Sequence, residues 1–293
     1  MANCSVSRVI ILFESGRLGN QLFQYAALRK LYPDEKLIFL GGEDLGNLLL
    51  DCEASFIERS RFPKWLPIGF LQRSFSSFAK MRLVNCIQEV RDGSGYSIQQ
   101  NIGLMPRLYF LQTSYFQHRS IIEQITPRLR IRPALLSEAR QWLRGQNLED
   151  ERHKLIFVHI RRGDYISWPS REYPAVLGAR WYRRAMNEMR EMMIEPRFLV
   201  MTDDVYYAQD LFEHEQDVHI SYNTPFVDLA LMSLCDHGIL SASSFAWWGG
   251  WFSRQRNDER SDGRFLAPRY WAGHRAMAWY PDGFESDWIR YIE

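Results

Sequence analysis

The 293-residue chain carries 36 Lys and Arg against 35 Asp and Glu, a formal net charge of +1. That balance argues against a general nucleic-acid binder, which shows a basic surplus. A composition of 46% hydrophobic and 24% charged residues excludes a disordered chain, and the length fits one large α/β unit or two smaller ones.

In chain order, Arg8–Phe13 is a continuous β-branched and apolar run, the pattern of a buried parallel strand. Glu14–Asn20 (ESGRLGN) is a glycine-bearing loop, and Gln21–Tyr32 has apolar residues at helical spacing. Lys36–Leu40 is a second strand, so the chain opens as a strand–loop–helix–strand unit. Within 41–106 the pattern weakens. The spacing there predicts a helix over Phe70–Val90 and a turn at Arg91–Gly95. Leu108–Gln112 reads as a strand, followed by helices near Ser120–Ile125 and Pro133–Leu143. Gly145–Lys154 is polar and marks the expected domain boundary, giving an N-terminal domain 1–150 and a C-terminal domain 151–293.

The pattern then restarts, with strands at Leu155–Ile160, Arg197–Thr202, Val218–Ile220, Gly238–Leu240 and Arg264–Ala267. Helices are expected over Gly178–Met193, Asp204–Phe212 and Phe245–Phe252, and from Pro225 to about Cys235, with Thr224 as N-cap. Two βα series therefore flank one polar stretch.

Four segments carry candidate chemistry. In Val158–Tyr165 (VHIRRGDY) a buried strand ends in His159, Arg161 and Arg162, followed by a Gly turn and Asp164. Ligands of open α/β sheets bind at the carboxyl ends of strands, and two guanidinium groups there form an anion clamp. In Glu14–Ala26, Gly16 and Gly19 permit close backbone approach, while Arg17, Asn20 and Gln21 offer donors at a helix N-terminus. In Leu240–Trp251 (LSASSFAWWGGW), Ser241, Ser243 and Ser244 precede a short helix, a setting that suits phosphate. Core packing is the expected role for at least two of Trp247, Trp248 and Trp251. In Val200–Asp204 (VMTDD) a carboxylate at a strand end can accept two hydrogen bonds from a guanine edge. Asp203 would cap the following helix while Asp204 does the recognition.

No DxD stands at a strand end, and neither a P-loop nor a GxSxG occurs. Cys4, Cys52, Cys86 and Cys235 form no CxxC pair, so they read as reduced thiols of a cytoplasmic protein with no metal site. No run approaches the ~20 apolar residues of a membrane span.

Together, GRLGNQLFQYA, VHIRRGDY, VMTDD, DLALMSLCDHGILSASSFAWWGGW and FLAPRYW, in that order, resemble the inverting α-1,2-fucosyltransferases of glycosyltransferase family 11. The resemblance implies an α/β fold of GT-B type, with two Rossmann-like domains facing a central cleft. The first would be the acceptor side and the second would bind the donor. It further implies GDP-fucose as co-substrate, a terminal β-galactoside acceptor, no metal and no cofactor. On that reading Arg161 meets the β-phosphate and Arg162 holds the loop or the second phosphate. Ser243, Ser244 and the Phe245 N–H complete the cradle. His159 positions donor or arginine, Asp203 and Asp204 read guanine and ribose, and Arg17, Asn20 and Gln21, in the N-terminal motif with Gly19, would close the cleft from the first domain. Asp164 and Glu14 are the nearest carboxylates for a general base. Asp164 can instead only brace an arginine, with a leaving-phosphate oxygen taking the proton. Two other readings stay open: a GDP-fucose-dependent transferase with a different acceptor, and a non-catalytic nucleotide-sugar binding module.

Overall fold

The computed structural model describes residues 8–63, 68–92, 95–112, 114–122, 129–150, 152–256, 263–271, 277 and 283–293; Cys4 lies outside them. The chain divides into two compact units, Met1–Arg130 and Ile131–Glu293. This corrects the boundary expected at 150/151. A helix at Pro133–Gly145 belongs to the second unit, where it buries Ala139 and Leu143.

The first unit runs β1 (Val9–Phe13), α1 (Leu18–Leu31), β2 (Lys36–Leu40), α2 (Asp44–Leu48), β3 (Ala54–Ile57), α3 (Ile68–Lys80), β4 (Val84–Asp92), β5 (Gly95–Asn101), β6 (Met105–Leu111) and α4 (Arg119–Ile122). Its six strands are ordered β3-β2-β1-β6-β4-β5, all parallel except the β4–β5 pair. The chain turns one way from β1 through β2 to β3. It then returns to the other side of β1, so the carboxyl end of β1 is a topological switch point.

The single helix expected over 70–90 is two elements. Ile68, Leu71, Phe75 and Ala79 give α3 one apolar face, packed on Phe13 and Phe110 of the sheet. The chain then passes into β4, whose Val84, Cys86 and Ile87 are buried. The change of period falls at Met81–Leu83, where no Gly or Pro marks it; Arg82 breaks the helix at φ 55°. The turn expected at Arg91–Gly95 closes the β4–β5 hairpin, where Asp92 pairs with Gly95; residues 93 and 94 lie outside the described residues, as do 123–125 of the helix expected there.

The second unit continues with α5 (Pro133–Gly145), β7 (Lys154–Ile160), α6 (Ala179–Met192), β8 (Pro196–Thr202), α7 (Val205–Phe212), β9 (Val218–Ile220), α8 (Pro225–Leu234), β10 (His237–Ile239), α9 (Ser244–Arg256), β11 (Phe265–Pro268) and β12 (Ile289–Ile292). The sheet order is β12-β11-β10-β7-β8-β9, wholly parallel. Here the switch point is the carboxyl end of β7. Six of the seven β7 residues are buried, as expected of a strand covered on both faces. On one face, Trp181, Tyr182, Ala185, Met186 and Met189 of α6 meet Ile156, Val158 and Ile160 of β7 and Phe198 and Val200 of β8. On the other, α8 packs against β7, α5 and α9. The close approach of α8 to α9 needs Gly249, where an added Cβ would stand 2.3 Å from Met232 Sδ. Trp247, Trp248 and Trp251 are all buried, packed edge-on against one another and Phe252, with Phe284 tilted on Trp247, so all three are core residues.

Candidate active site of the second unit

The VHIRRGDY segment lies at the β7 switch point. Its strand ends at Ile160, and Gly163–Ile166 make a 3₁₀ turn, so Arg161 and Arg162 occupy the crevice position itself. Because β7 and β8 pair in register to Ile160 and Thr202, Asp203 and Asp204 leave their strand beside the arginines.

Arg161 places Nη1 2.7 Å from Asp203 Oδ2, and its Nη2 donates to Asp164 Oδ1. Asp203 also accepts the Arg162 backbone N–H on Oδ1, at 2.8 Å. Gly163 is needed here: a Cβ would stand 2.6 Å from Asp203 Oδ2. Arg162 donates through Nε to Asp204 Oδ2 at 2.9 Å, and its guanidinium lies 3.6 Å from the Tyr207 ring centre, a cation–π contact. Asp204 is the N-cap of α7, accepting the Tyr207 N–H at 3.2 Å. The capping role expected of Asp203 is thus filled by Asp204, and both carboxylates are committed to arginines. The Asp204 carboxyl is held below its ordinary pKa by the Tyr207 N–H and then by Arg162. Asp164 is paired with Arg161, three residues back in the sequence.

Across the crevice, β10 leads into Ser241–Ser243 and the N-terminus of α9. His159 is buried and shares a hydrogen bond with Ser241 at 2.7 Å (Nδ1–Oγ); its ring packs on Phe245. Burial, and then the Arg161 charge, push the imidazole down to about 3, so it is neutral at physiological pH. Ser243 Oγ accepts the Phe245 N–H at 3.2 Å, capping α9 from the position before it. Ser244 opens the helix, half-buried. Tyr165 donates from its hydroxyl to the Ala242 carbonyl at 2.7 Å, which ties the arginine turn to the serine loop.

One residue escaped the sequence reading. Asp228, in the first turn of α8, is buried at the carboxyl edge of the sheet and pushed up to about 7 by desolvation. Its Oδ1 accepts from Ser221 Oγ at 2.5 Å. Among the described residues it is in no ion pair. In the sequence it is a lone acid in an apolar helix, and that isolation was the available signal.

In the first unit, the GRLGNQLFQYA segment lies at the other switch point. Gly16 adopts φ 75°, and a Cβ there would meet Asn20 Nδ2 at 2.4 Å. Arg17 is exposed at the N-cap of α1 and Gly19 is buried. Asn20 Oδ1 accepts from Gln117 at 2.7 Å, and Gln21 is buried with Nε2 turned back on the Gly16 carbonyl at 3.3 Å. Of these four residues only Arg17 is exposed; Asn20 and Gln21 hold the loop.

The model of Glycosyl transferase family 11 matches residues 103–290. Three curated relatives are each 25% identical. The O-antigen biosynthesis glycosyltransferase WbnK of Escherichia coli matches over 88% of this chain and 93% of its own. An alpha-1,2-colitosyltransferase of Escherichia coli matches over 96% and 98%. Galactoside alpha-(1,2)-fucosyltransferase 1 of Ateles belzebuth matches over 85% and 66%. Among solved structures, the NodZ alpha-1,6-fucosyltransferase co-crystallised with GDP superposes with a TM-score of 0.53 at 12% identity, covering 83% of this chain and 91% of that one, a likeness of fold. The chain belongs to glycosyltransferase family 11 and is a glycosyltransferase with two Rossmann-like sheets.

Proposed function

We propose that the protein transfers L-fucose from GDP-β-L-fucose to the 2-hydroxyl of a terminal β-galactose, with inversion and without a metal. The observation that carries this reading is the arginine pair at the β7 switch point, braced by Asp203, Asp204 and Asp164 and faced by the capped N-terminus of α9. Family membership and relatives named for α-1,2 transfer supply the linkage.

In the reaction the acceptor oxygen attacks the anomeric carbon, the bond from that carbon to the β-phosphate oxygen breaks, and GDP leaves with the electron pair. Negative charge grows on the diphosphate. Arg161 and Arg162 neutralise it in a fixed geometry, the preorganised electrostatics that supply most of the rate in such sites. The α9 N-terminus, with Ser244, adds N–H and hydroxyl donors. His159, being neutral, contributes position and not charge. Asp203 and Asp204 act on the donor through the arginines they hold. Asp228, outside the ion-pair network, is the carboxyl left to meet a guanine edge. The acceptor proton passes to a leaving-phosphate oxygen, with Asp164 bracing Arg161.

Among the described residues no disulfide joins Cys52, Cys86 or Cys235, which supports the proposal of a cytoplasmic enzyme. No helix among the described residues is long and apolar enough to cross a membrane.

The test is turnover of GDP-fucose with lactose and related β-galactosides in excess EDTA, the linkage assigned by NMR. An α-1,2 product with undiminished rate is expected. Loss of activity restored only by Mn²⁺ or Mg²⁺ would overturn the metal-free clamp. The colitosyltransferase relative gives a second donor reading, so GDP-colitose belongs in the same assay; a faster rate with it would reassign the sugar.

A further inference from the structure

From Arg59 to Gln88 the chain has six basic residues and no acidic one, and from Gly93 to Ile122 it again has no Asp or Glu. The fold brings the end of the first stretch against the middle of the second. The turn after α3 and the turn between β5 and β6 are knitted by Leu104 N–H to the Arg82 carbonyl at 2.8 Å and Met105 N–H to the Leu83 carbonyl at 3.2 Å. Asn85 fastens them from beneath: its Oδ1 accepts the Gly103 N–H at 2.8 Å and its Nδ2 donates to the carbonyls of Met105 and Leu108.

On this braced platform the large apolar side chains point to solvent. Met81 is 66% exposed, Ile102 76%, Leu104 79% and Met105 51%, with Phe78 one turn back at 42%. Lys80, Arg82 and Arg107 are exposed around them, and among the described residues none is in an ion pair. Isolated exposed hydrophobics are ordinary, but five contiguous ones with a wholly basic rim are not.

We propose that this face of the first unit is a docking surface for an anionic phospholipid bilayer. The aliphatic knobs enter the boundary between headgroups and acyl chains, and the cations lie at phosphate level. Charge selects this occupant. A second copy pairing isologously through the same patch would set basic rim against basic rim. Nucleic acid would meet four aliphatic knobs and one aromatic ring, Phe78, where stacking along a strand needs a series of rings. The hydrogen-bonded turns present their apolar groups without unfolding, so docking costs little ordering.

The test is co-sedimentation of the full chain with phosphatidylcholine vesicles, with and without phosphatidylglycerol. Binding is expected only with the anionic lipid, weakening in 0.5 M salt. Ile102→Ser with Leu104→Ser should abolish it. Lys80→Gln with Arg107→Gln should lower it about 25-fold, at about fivefold per charge. Both double variants should keep the wild-type melting temperature and turnover of a soluble acceptor, because the changed side chains are exposed. Binding to neither vesicle, or binding indifferent to both double variants, overturns the proposal. So does a concentration-dependent dimer, in sedimentation velocity, that Ile102→Ser with Leu104→Ser dissolves.

Discussion

Arg161 Nη1 lies 2.7 Å from Asp203 Oδ2, joining the end of β7 to the end of β8. The same Asp203 holds the next backbone N–H, that of Arg162, at 2.8 Å. One carboxylate thus sets the direction of one arginine's side chain and the backbone of the other. Both arginines are thus held by contacts within the second unit, the preorganisation that the proposed clamp requires.

Arg161→Ala should lower kcat by about 10²–10³, the scale of losing one transition-state donor. Arg161→Lys should fare little better. An ammonium cannot reach Asp203 and Asp164 with two separate nitrogens and still offer a fork to phosphate. Steady-state kinetics with saturating donor check this, and a near-normal rate for either variant would place the clamp elsewhere.

Asp164→Asn separates a brace from a base. Its carboxylate is half-exposed and paired with Arg161, and an exposed ion pair is worth about 1 kcal/mol or less. Bracing therefore predicts that GDP affinity and kcat fall together, each by about fivefold. Calorimetric GDP affinity unchanged beside a kcat reduced about 10³-fold, the scale of a lost general base, would make Asp164 that base.

Asp204 caps α7 and holds Arg162, and two variants divide these roles. Asp204→Ala should cost about 1 kcal/mol of stability through the lost cap and weaken GDP binding through a loosened Arg162. Asn caps as well as Asp, so Asp204→Asn should restore the stability but not the affinity. Urea denaturation and GDP calorimetry on the pair decide it. An Asp204→Asn variant with full GDP affinity would show that the charge on Asp204 plays no part.

His159 gives a pH signature. Its folded pKa, about 3, lies below its ordinary 6.5, so the unfolded chain binds a proton that the native state refuses. The stability it contributes is complete above 6.5 and is lost as pH falls from 6.5 toward 3. Between pH 7 and pH 5 the wild type should lose about 2 kcal/mol that His159→Gln does not. Asp228 works in the opposite direction, since its carboxyl is raised to about 7, but equally in both proteins. Nine of the ten tryptophans lie in the second unit, so their fluorescence reports its unfolding. Equal pH slopes for the two proteins would contradict a buried neutral imidazole.

The sequence by itself determined the α/β class, both strand-to-loop segments and the arginine motif. Each is written locally: β7 holds the apolar run Leu155–Val158, which must be buried on both faces, and Arg161 and Arg162 follow its last residue directly. The N-cap at Thr224 was legible for the same reason, since capping depends on neighbours only. Tertiary structure alone decided the partners. Asp203 and Asp204 are adjacent, and their division of labour rests on the register of β8 against β7, which no local pattern encodes. The break between α3 and β4 carries no Gly or Pro, and it is decided by which side chains reach Phe13 and Phe110 of the sheet. Asp228 stands out in the sequence only as a lone acid in an apolar helix; the desolvation that raises its pKa comes from distant parts of the chain packed around it.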